Sequence, residues 1–294
     1  MHTVLLQSDI SKLAAEHGFS AAYCIAPLPQ DGAPEDAQTL AILVRAYTPG
    51  GKLVDAFYPA SNTAYHAAKW LAAALEERYG IQTLHLPDVR LKPLCARHAA
   101  FGRGINTLNY LPEIGSRFCM ELLGLSAPVT CGKTPAYPAE NLLCAACQRC
   151  MRACPTGAIT ENGFVRERCI RHHMLSGKAM PEEMRPFIGT VSKGIVGCDV
   201  CQRVCPANAA AENRRSDEEC FSLNELLICS KETMQTFADL YGANYAIRNR
   251  VLAQAVLAAA NTGDKQDLPA IQELTQSPSA VVSEHARWAV EKMK

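Results

Sequence analysis

The chain has 294 residues, 48% of them apolar and 20% charged, enough to bury one large core or two or three smaller ones, so it is neither fibrous nor disordered. Lys+Arg and Asp+Glu both number 29, so bulk charge draws it to neither nucleic acid nor an anionic membrane, and any such partner must rely on a local basic face. No apolar run reaches the roughly 18 residues that span a bilayer, and the opening "MHTVLLQSDI" lacks the basic segment of an export signal, so a cytoplasmic protein without a membrane partner is expected.

The first 130 residues read as mixed α/β. "DISKLAAEHG" has the pattern of a short amphipathic helix stopped at Gly18, and "AAYCIAPL" and "LAILVRAY" are strand-like apolar runs. "SNTAYHAAKWLAAALEERYG" is the clearest helix, with Ser61 or Asn62 as its cap, Gly80 as its stop and a stripe of Tyr65, Ala68, Ala72, Leu75 and Tyr79. "IQTLHL" reads as a further strand. "FGRGIN" is glycine-rich but matches neither phosphate-loop nor dinucleotide patterns, which gives a nucleotide site little support.

Fourteen cysteines are the outlier, and without an export signal metal ligation explains them better than disulfides. Cys144, Cys147, Cys150 and Cys154, followed by Pro155, have the spacing C-x2-C-x2-C-x3-C-P of bacterial ferredoxins. Three thiolates on a tight loop reach three corners of one cube, while the fourth points away toward another. Cys198, Cys201 and Cys205 with Pro206, and Cys169 between the two groups, complete eight ligands. The expected pairing is crossed: Cys144, Cys147, Cys150 and Cys205 on one 4Fe–4S cluster, and Cys154, Cys169, Cys198 and Cys201 on the other. Structural zinc is the alternative, since C-x2-C pairs also bind it. Cys24, Cys95, Cys119, Cys131, Cys220 and Cys229 lack ligand spacing and read as small buried hydrophobes or idle thiols.

Residues 216–294 read as helical. "AIRNRVLAQAVLAAANTGD" stops at Asn261–Gly263, and "LPAIQELTQS", with Pro269 in its first turn, and "VVSEHARWAVEKMK" follow. Such a series suits a short helical repeat or a plain helical cap on the cluster module. Arg214, Arg215, Arg248 and Arg250 form the candidate basic face for RNA phosphates.

The order of these parts resembles the epoxyqueuosine reductases, cobalamin- and iron–sulfur-dependent enzymes of queuosine biosynthesis on tRNA. The likeness lies in "CAACQRCMRACPTGAI", "RCI" and "GCDVCQRVCPAN", in the tail "IRNRVLAQAVLAAANTGD", and upstream in "VRAYTP", "AYHAAKWLAAAL" and "INTLNYLPEIGSRF". Corrinoid reductive dehalogenases share the core plan. The resemblance implies an α+β fold: an α/β cobalamin-binding-type domain over 1–133, a double 4Fe–4S ferredoxin-like module over 134–215 and a HEAT-like helical tail over 216–294. It implies an oxidoreductase that reduces epoxyqueuosine in tRNA, or a related reductive deoxygenation or dehalogenation of a small molecule. A low-potential donor of the flavodoxin or ferredoxin type would supply electrons to a monomer.

Carried over by position, Tyr65, His66, Asn106, Thr107, Gly115 and Ser116 would bind the cofactor. The family's proton-donating aspartate falls on His85 in an ungapped alignment of "LHLPDVRLK", whereas a loop shift of about three residues would bring Asp88 there. Histidine titrates near neutral pH and suits the role; the bland readings are a strand-end His85 and an Asp88 that caps a helix. His66 reads equally as a plain helix histidine, and His172 and His173, just past a cluster cysteine, read as solvated loop residues or as tuners of a cluster. The family's "GWIGKNT"-type stretch is shortened here to "GRGINT", with Ile105 in place of lysine. A double-cluster electron-transfer protein and a corrinoid-binding or corrinoid-reducing accessory protein are the competing functions.

Overall fold

The computed structural model describes residues 5–98, 100–131, 142–216 and 220–294. The chain packs as two compact units, Met1–Tyr47 with Ala60–Ala146, and Thr48–Pro59 with Cys147–Lys294. The expected boundary at 133/134 lies outside the described residues.

In the first unit, helix α1 (Gln7–Glu16) leads into strand β1 (Ala21–Ile25) and then β2 (Thr39–Ala46). The long helix α2 (Phe57–Tyr79) is followed by β3 (Thr83–His85), α3 (Leu91–Arg97) and β4 (Phe118–Leu125). The four strands form one sheet in the order β1–β2–β4–β3, every pairing antiparallel. Residues 39–44 of β2 are all buried, which is why "TLAILV" reads as a continuous apolar run: a central strand covered on both faces has no polar side to show. Leu40, Ile42 and Val44 share one face with Phe118 and Leu122, closed by Leu94 and Cys95 of α3 and by Phe101. Helix α2 starts four residues before the expected cap Ser61, because the Asp55 carboxylate accepts the Phe57 N–H at 2.8 Å and Ser61 and Asn62 then fall inside it. Its buried stripe is Ala64, Ala68, Leu71 and Leu75, turned from the expected one, so that Tyr65 and Tyr79 lie at its margin.

In the second unit, α4 (Leu142–Cys147), whose last residue opens the unit, leads into α5 (Arg149–Ala153). Helices α6 (Ile170–Ser176) and α7 (Val200–Arg203) follow, then α8 (Leu223–Ile228) and α9 (Lys231–Tyr241). Helices α10 (Arg248–Thr262), α11 (Leu268–Leu274) and α12 (Ala280–Met293) complete the chain. One core runs through the unit, joining Ile170, Met174 and Ile195 near the cysteines to Leu226, Phe237, Val251 and Ala286 of the tail. Every residue of α10 from Val251 to Ala260 is buried, the signature of a central helix rather than a surface one. The stretch Thr48–Pro59 belongs here: Val54 bridges Val196, and Tyr58 is fully buried with Arg171 donating to its hydroxyl at 3.3 Å. Gly197 is obligatory beside it, since at φ +95° a Cβ would stand 2.7 Å from the Asp55 Cβ and from the Tyr58 ring. The tail's helix signals are local and legible: Ser222 and Glu225 form a capping box on α8, Gly263 ends α10 at φ +76°, and Pro269 sits in the first turn of α11. Among the described residues no helix is long and apolar enough to cross a membrane.

His285 of α12 is fully buried, and both ring nitrogens are engaged: the Met180 N–H donates to Nε2 at 2.9 Å, and Nδ1 lies 3.0 Å from the Ala253 carbonyl. This fixes a neutral ring with its proton on Nδ1, because a second proton would break the Met180 bond. Burial is the main cause that pulls its pKa down and Arg185 adds to it, against the Ala253 carbonyl and Glu284. The folded state therefore binds fewer protons here than the unfolded chain. The stability this contributes is complete above the unfolded histidine value of about 6.5 and is lost as pH falls through it, at no more than about 1.4 kcal/mol per pH unit. The thermal midpoint, followed by circular dichroism from pH 7.5 to 5.5, is expected to fall more steeply in the wild type than in His285→Gln; parallel slopes would place the sensitivity elsewhere.

Candidate active site and iron–sulfur ligands

In the first unit the antiparallel register builds the site. His85 on β3 pairs with Leu123 of β4, so Glu121, two residues away, is its diagonal neighbour on the same face. Their side chains meet, His85 Nε2 to Glu121 Oε2 at 2.7 Å, with only 8% and 10% of each exposed. A carboxylate in a strand as apolar as "FCMELLGL" is costly to bury alone, and the imidazole offsets that cost. Tyr65 of α2 meets the His85 ring edge-on at 5.0 Å. His66 stacks edge-on to Tyr65, and Lys69 lies over its ring at 4.4 Å. The result is an oriented imidazole, held by a carboxylate on one side and an aromatic ring on another.

Asp88 lies elsewhere. It is exposed in the turn after β3, and the N-cap of α3 is Arg90, so Asp88 does not cap that helix. Asn106 is buried and uses its side-chain oxygen to accept the Leu108 N–H at 3.2 Å, stabilising a turn in which Thr107 adopts φ +64°. Such a conformation costs a β-branched residue roughly 1–3 kcal/mol and is held by its surroundings; here Gly104 and Thr107 bond across the turn and Lys92 reaches the Thr107 hydroxyl at 3.4 Å. Gly115, at φ +73°, closes a second turn with Leu111, and Ser116 beside it is buried. The structure thus groups Tyr65 and His66 with His85, and places Asn106–Thr107 and Gly115–Ser116 in two separate turns.

The cysteines with ligand spacing sit at or near helix ends, Cys144 in the first unit and the other seven in the second. Cys144 and Cys147 lie one turn apart on α4, Cys150 is on α5, and Cys154 ends that helix. Cys169 precedes α6, Cys198 and Cys201 flank the start of α7, and Cys205 precedes the short turn at Pro206. All eight are part-buried free thiols. The groups acting on the Cys201 thiol, after burial itself, are Cys198, Cys150, Cys169 and Cys154, and Cys169 also acts on Cys198. Burial pushes Cys198 up to about 11 despite hydrogen bonds from Val200 and Ser192, and raises Cys201 as well. Crowded, desolvated thiols of this kind are poor acids alone and need a cation to ionise them, which suits iron ligation. Among the described residues no three His, Cys, Asp or Glu side chains converge as a lone metal ion requires; a four-iron cube takes its thiolates at separate corners instead. The Ala158 N–H points at the Cys154 sulfur from 3.3 Å, a contact that favours thiolate. His172 and His173 are part of α6 rather than a loop, their N–H groups donating to the carbonyl of Cys169 at the N-cap position; Arg166 donates to the His172 ring at 3.2 Å, and His173 contacts the Glu167 carbonyl at 2.6 Å.

Around Cys205 opens a cleft of about 560 Å³ with Arg149, Arg152 and Arg203 on its rim. Behind it Asp199 holds Arg203 at 3.0 Å and Arg215, which also reaches Glu212. Of the cysteines without ligand spacing, Cys24, Cys95, Cys119 and Cys229 are buried as expected, while Cys131 and Cys220 are exposed. Glu121, the partner of His85, is the candidate that the sequence pattern left unread; its signal is a lone acid inside a buried strand. The other missed partner, Asp199, sits between two cluster cysteines.

Residues 143–208 match the model of a 4Fe–4S double cluster binding domain. The chain is 28% identical to an epoxyqueuosine reductase of Listeria monocytogenes over 78% of its own length and 63% of the relative's, and 30% identical to that of Bacillus subtilis over 64% and 49%. Each match thus covers less than two thirds of these curated relatives. Among solved structures, epoxyqueuosine reductase bound to an epoxyqueuosine-modified tRNA-Tyr stem loop aligns with TM-score 0.75 at 19% identity, covering 98% of this chain and 90% of that one. The enzyme from Streptococcus thermophilus aligns with TM-score 0.77 at 17% identity over the same shares. The resemblance first read from the cysteine runs and the tail therefore holds: this chain has the fold of the epoxyqueuosine reductases and carries within it a 4Fe–4S double cluster binding domain.

Proposed function

We propose that the chain is a cytoplasmic, cobalamin- and iron–sulfur-dependent reductase of the epoxyqueuosine reductase type, acting on epoxyqueuosine in tRNA or on a related substrate that loses an oxygen. The observation that supports the reading is the His85–Glu121 pair, a buried imidazole oriented by a carboxylate, at the residue that the ungapped alignment sets against the family's acid. Cobalamin, when bound, supplies the two-electron cleavage, and the two clusters supply its electrons one at a time.

The chain's own residues supply position and a proton. Glu121 accepts from the Nε2–H of His85, so only the imidazolium form of the ring carries a proton on Nδ1 to pass to the leaving oxygen, and that form returns to neutral imidazole as it does so. Tyr65 limits rotation of the ring. The accessible, uncharged hydrogen-bonding groups of Tyr65 and Thr107, with His66, suit the amide-rich rim of a corrinoid, while Asn106, Gly115 and Ser116 shape the turns that present them. For the clusters the proposed ligation is crossed, Cys154, Cys169, Cys198 and Cys201 on one and Cys144, Cys147, Cys150 and Cys205 on the other, a scheme that rests on the ferredoxin spacing, in which the fourth cysteine of a run points to the other cube. A donor of the flavodoxin or ferredoxin type would meet the cleft beside Cys205, which Arg149, Arg152, Arg203 and Glu212 line.

Two measurements test this. Anaerobically purified protein is expected to hold about eight irons, and Cys169→Ala to lose about half of them; four irons in the wild type, or loss of all or none in the variant, would refute the crossed assignment. With epoxyqueuosine-containing tRNA as substrate, His85→Ala is expected to lower turnover roughly 100-fold or more at normal iron content, Glu121→Gln to lower it less, and Asp88→Ala to leave it near wild type. A damaging Asp88→Ala with a silent His85→Ala would transfer the role to Asp88. Absence of turnover in every form, with full clusters, would favour the electron-transfer reading.

A further inference from the structure

Arg185, Arg203 and Arg215 of the second unit each pair with a carboxylate. Arg171, the second residue of α6, does not: among the described residues no carboxylate lies within ion-pairing distance of it, and Asp55 acts on it only from farther away. Its guanidinium is lodged among rings instead. It lies over the Phe57 ring at 5.1 Å and the Tyr58 ring at 5.8 Å, and its Nε donates to the Tyr58 hydroxyl at 3.3 Å. The side chain is part-buried, and Tyr58 is wholly so. Aromatic faces and a phenol attract a cation but do not neutralise it. A guanidinium cannot shed its proton to escape the cost either. A charge desolvated in this way calls for an anion nearby.

The rings also fix where that charge stands. Phe57 meets Tyr58 edge-on at 5.4 Å, and Tyr58 meets Tyr245 edge-on at 4.6 Å, so the phenol has little room to turn. Tyr58 abuts Gly197, whose missing Cβ would stand 2.7 Å from its ring, and Gly197 precedes Cys198. Cys198 packs against the same core as Tyr58. Cys169, whose thiol acts on that of Cys198, stands two residues before Arg171. The unpaired cation is thereby held beside two of the four cysteines assigned to one cluster. Arg166 and Arg168 also flank Cys169, but both are exposed, and water and salt screen their fields. A 4Fe–4S cluster on four thiolates is an anion, and reduction adds one more negative charge, so a fixed cation favours the reduced state.

We propose that Arg171 is the fixed counter-charge of the cluster on Cys154, Cys169, Cys198 and Cys201, a positioning residue that raises the reduction potential of that cluster and not of the other. This rests on the crossed ligation proposed above. The test is an anaerobic redox titration of the full-length, cluster-loaded protein, followed by electron paramagnetic resonance. Arg171→Gln is expected to make one of the two couples roughly tenfold harder to reduce, a downward shift of about 59 mV for one electron, and to leave the other in place. Arg171→Lys, which keeps the charge, is expected to restore most of the shift. Tyr58→Phe, which removes the hydroxyl and keeps the guanidinium, is expected to move the couple less than Arg171→Gln. Cys169→Ala is expected to lose the affected couple, so that adding Arg171→Gln to it changes nothing in the one that remains. If Arg171→Gln fails to hold its iron, Arg171→Lys decides: normal iron and potential support the charge, and loss of iron there too reduces Arg171 to a packing role and overturns the proposal. The proposal also falls if Arg171→Gln keeps its iron with both potentials unchanged, or with both shifted equally. Retention of both couples in Cys169→Ala would overturn the ligation itself, and the proposal with it.

Discussion

The register of β4 against its two neighbours is the constraint from which the first unit's chemistry follows. Strand residues alternate faces, so pairing His85 with Leu123 and Leu43 with Glu121 commits His85 and Glu121 to one face of the sheet. A slip of one residue would send Glu121 into the face that holds Leu40, Ile42, Val44 and Phe118, where nothing could neutralise it. The apolar alternation of the strands and the single buried acid thus specify the same register. The hydrogen-bonded His85–Glu121 pair is a consequence of that register and also a penalty on every alternative, which is how a polar pair in a core yields specificity more than stability.

The second unit is governed by a different balance. Burial makes the Cys198 and Cys201 thiols reluctant to ionise, so the loops around them gain little from folding without a cation. What anchors those loops meanwhile is the shared core. Ile170 and Met174 follow Cys169 directly and pack with the helices of the tail, and Asp199, next to Cys198, is pinned by Arg203 and Arg215. The tail is therefore part of the scaffold that holds the cluster ligands in place.

Legibility in the sequence tracked the range of the interaction. Ligand spacing, capping boxes and glycine stops act over a few residues, and the cysteine runs, α8 and the end of α10 could be read from them. The start of α2 was misplaced because Asp55, outside the amphipathic pattern, supplies its first acceptor. His172 and His173 lie in α6, whose start at Cys169 has no side-chain cap, so nothing in "RERCIRHH" marks it. The partner of His85 lies 36 residues away, on a strand pairing that no local rule sets, so Glu121 was visible only as an odd charge in an apolar run. Gln254 in "VLAQAVLAAA" is the same kind of signal in a helix, a polar residue where every neighbour is buried.

Charge tells a similar story about partners. A chain with 29 basic and 29 acidic residues has to spend its charges locally, and the four arginines that looked like an RNA-facing patch are mostly spent inward. Arg215 binds Asp199 and Glu212, Arg248 donates to the Cys229 carbonyl at 3.1 Å, and Arg250 buries its Nε. An arginine already satisfied by a carboxylate offers a phosphate little new enthalpy and must first give up its partner. Sequence clustering of like charges therefore overstates a binding face whenever acids such as Asp199 and Glu212 lie within reach in the fold. Arg149, Arg152 and Arg203 around Cys205 show that sequence separation misleads as well, although Asp199 holds Arg203 and Glu212 lines the same cleft. Those residues are separated in sequence by some fifty positions and meet only because α5 and α7 pack together.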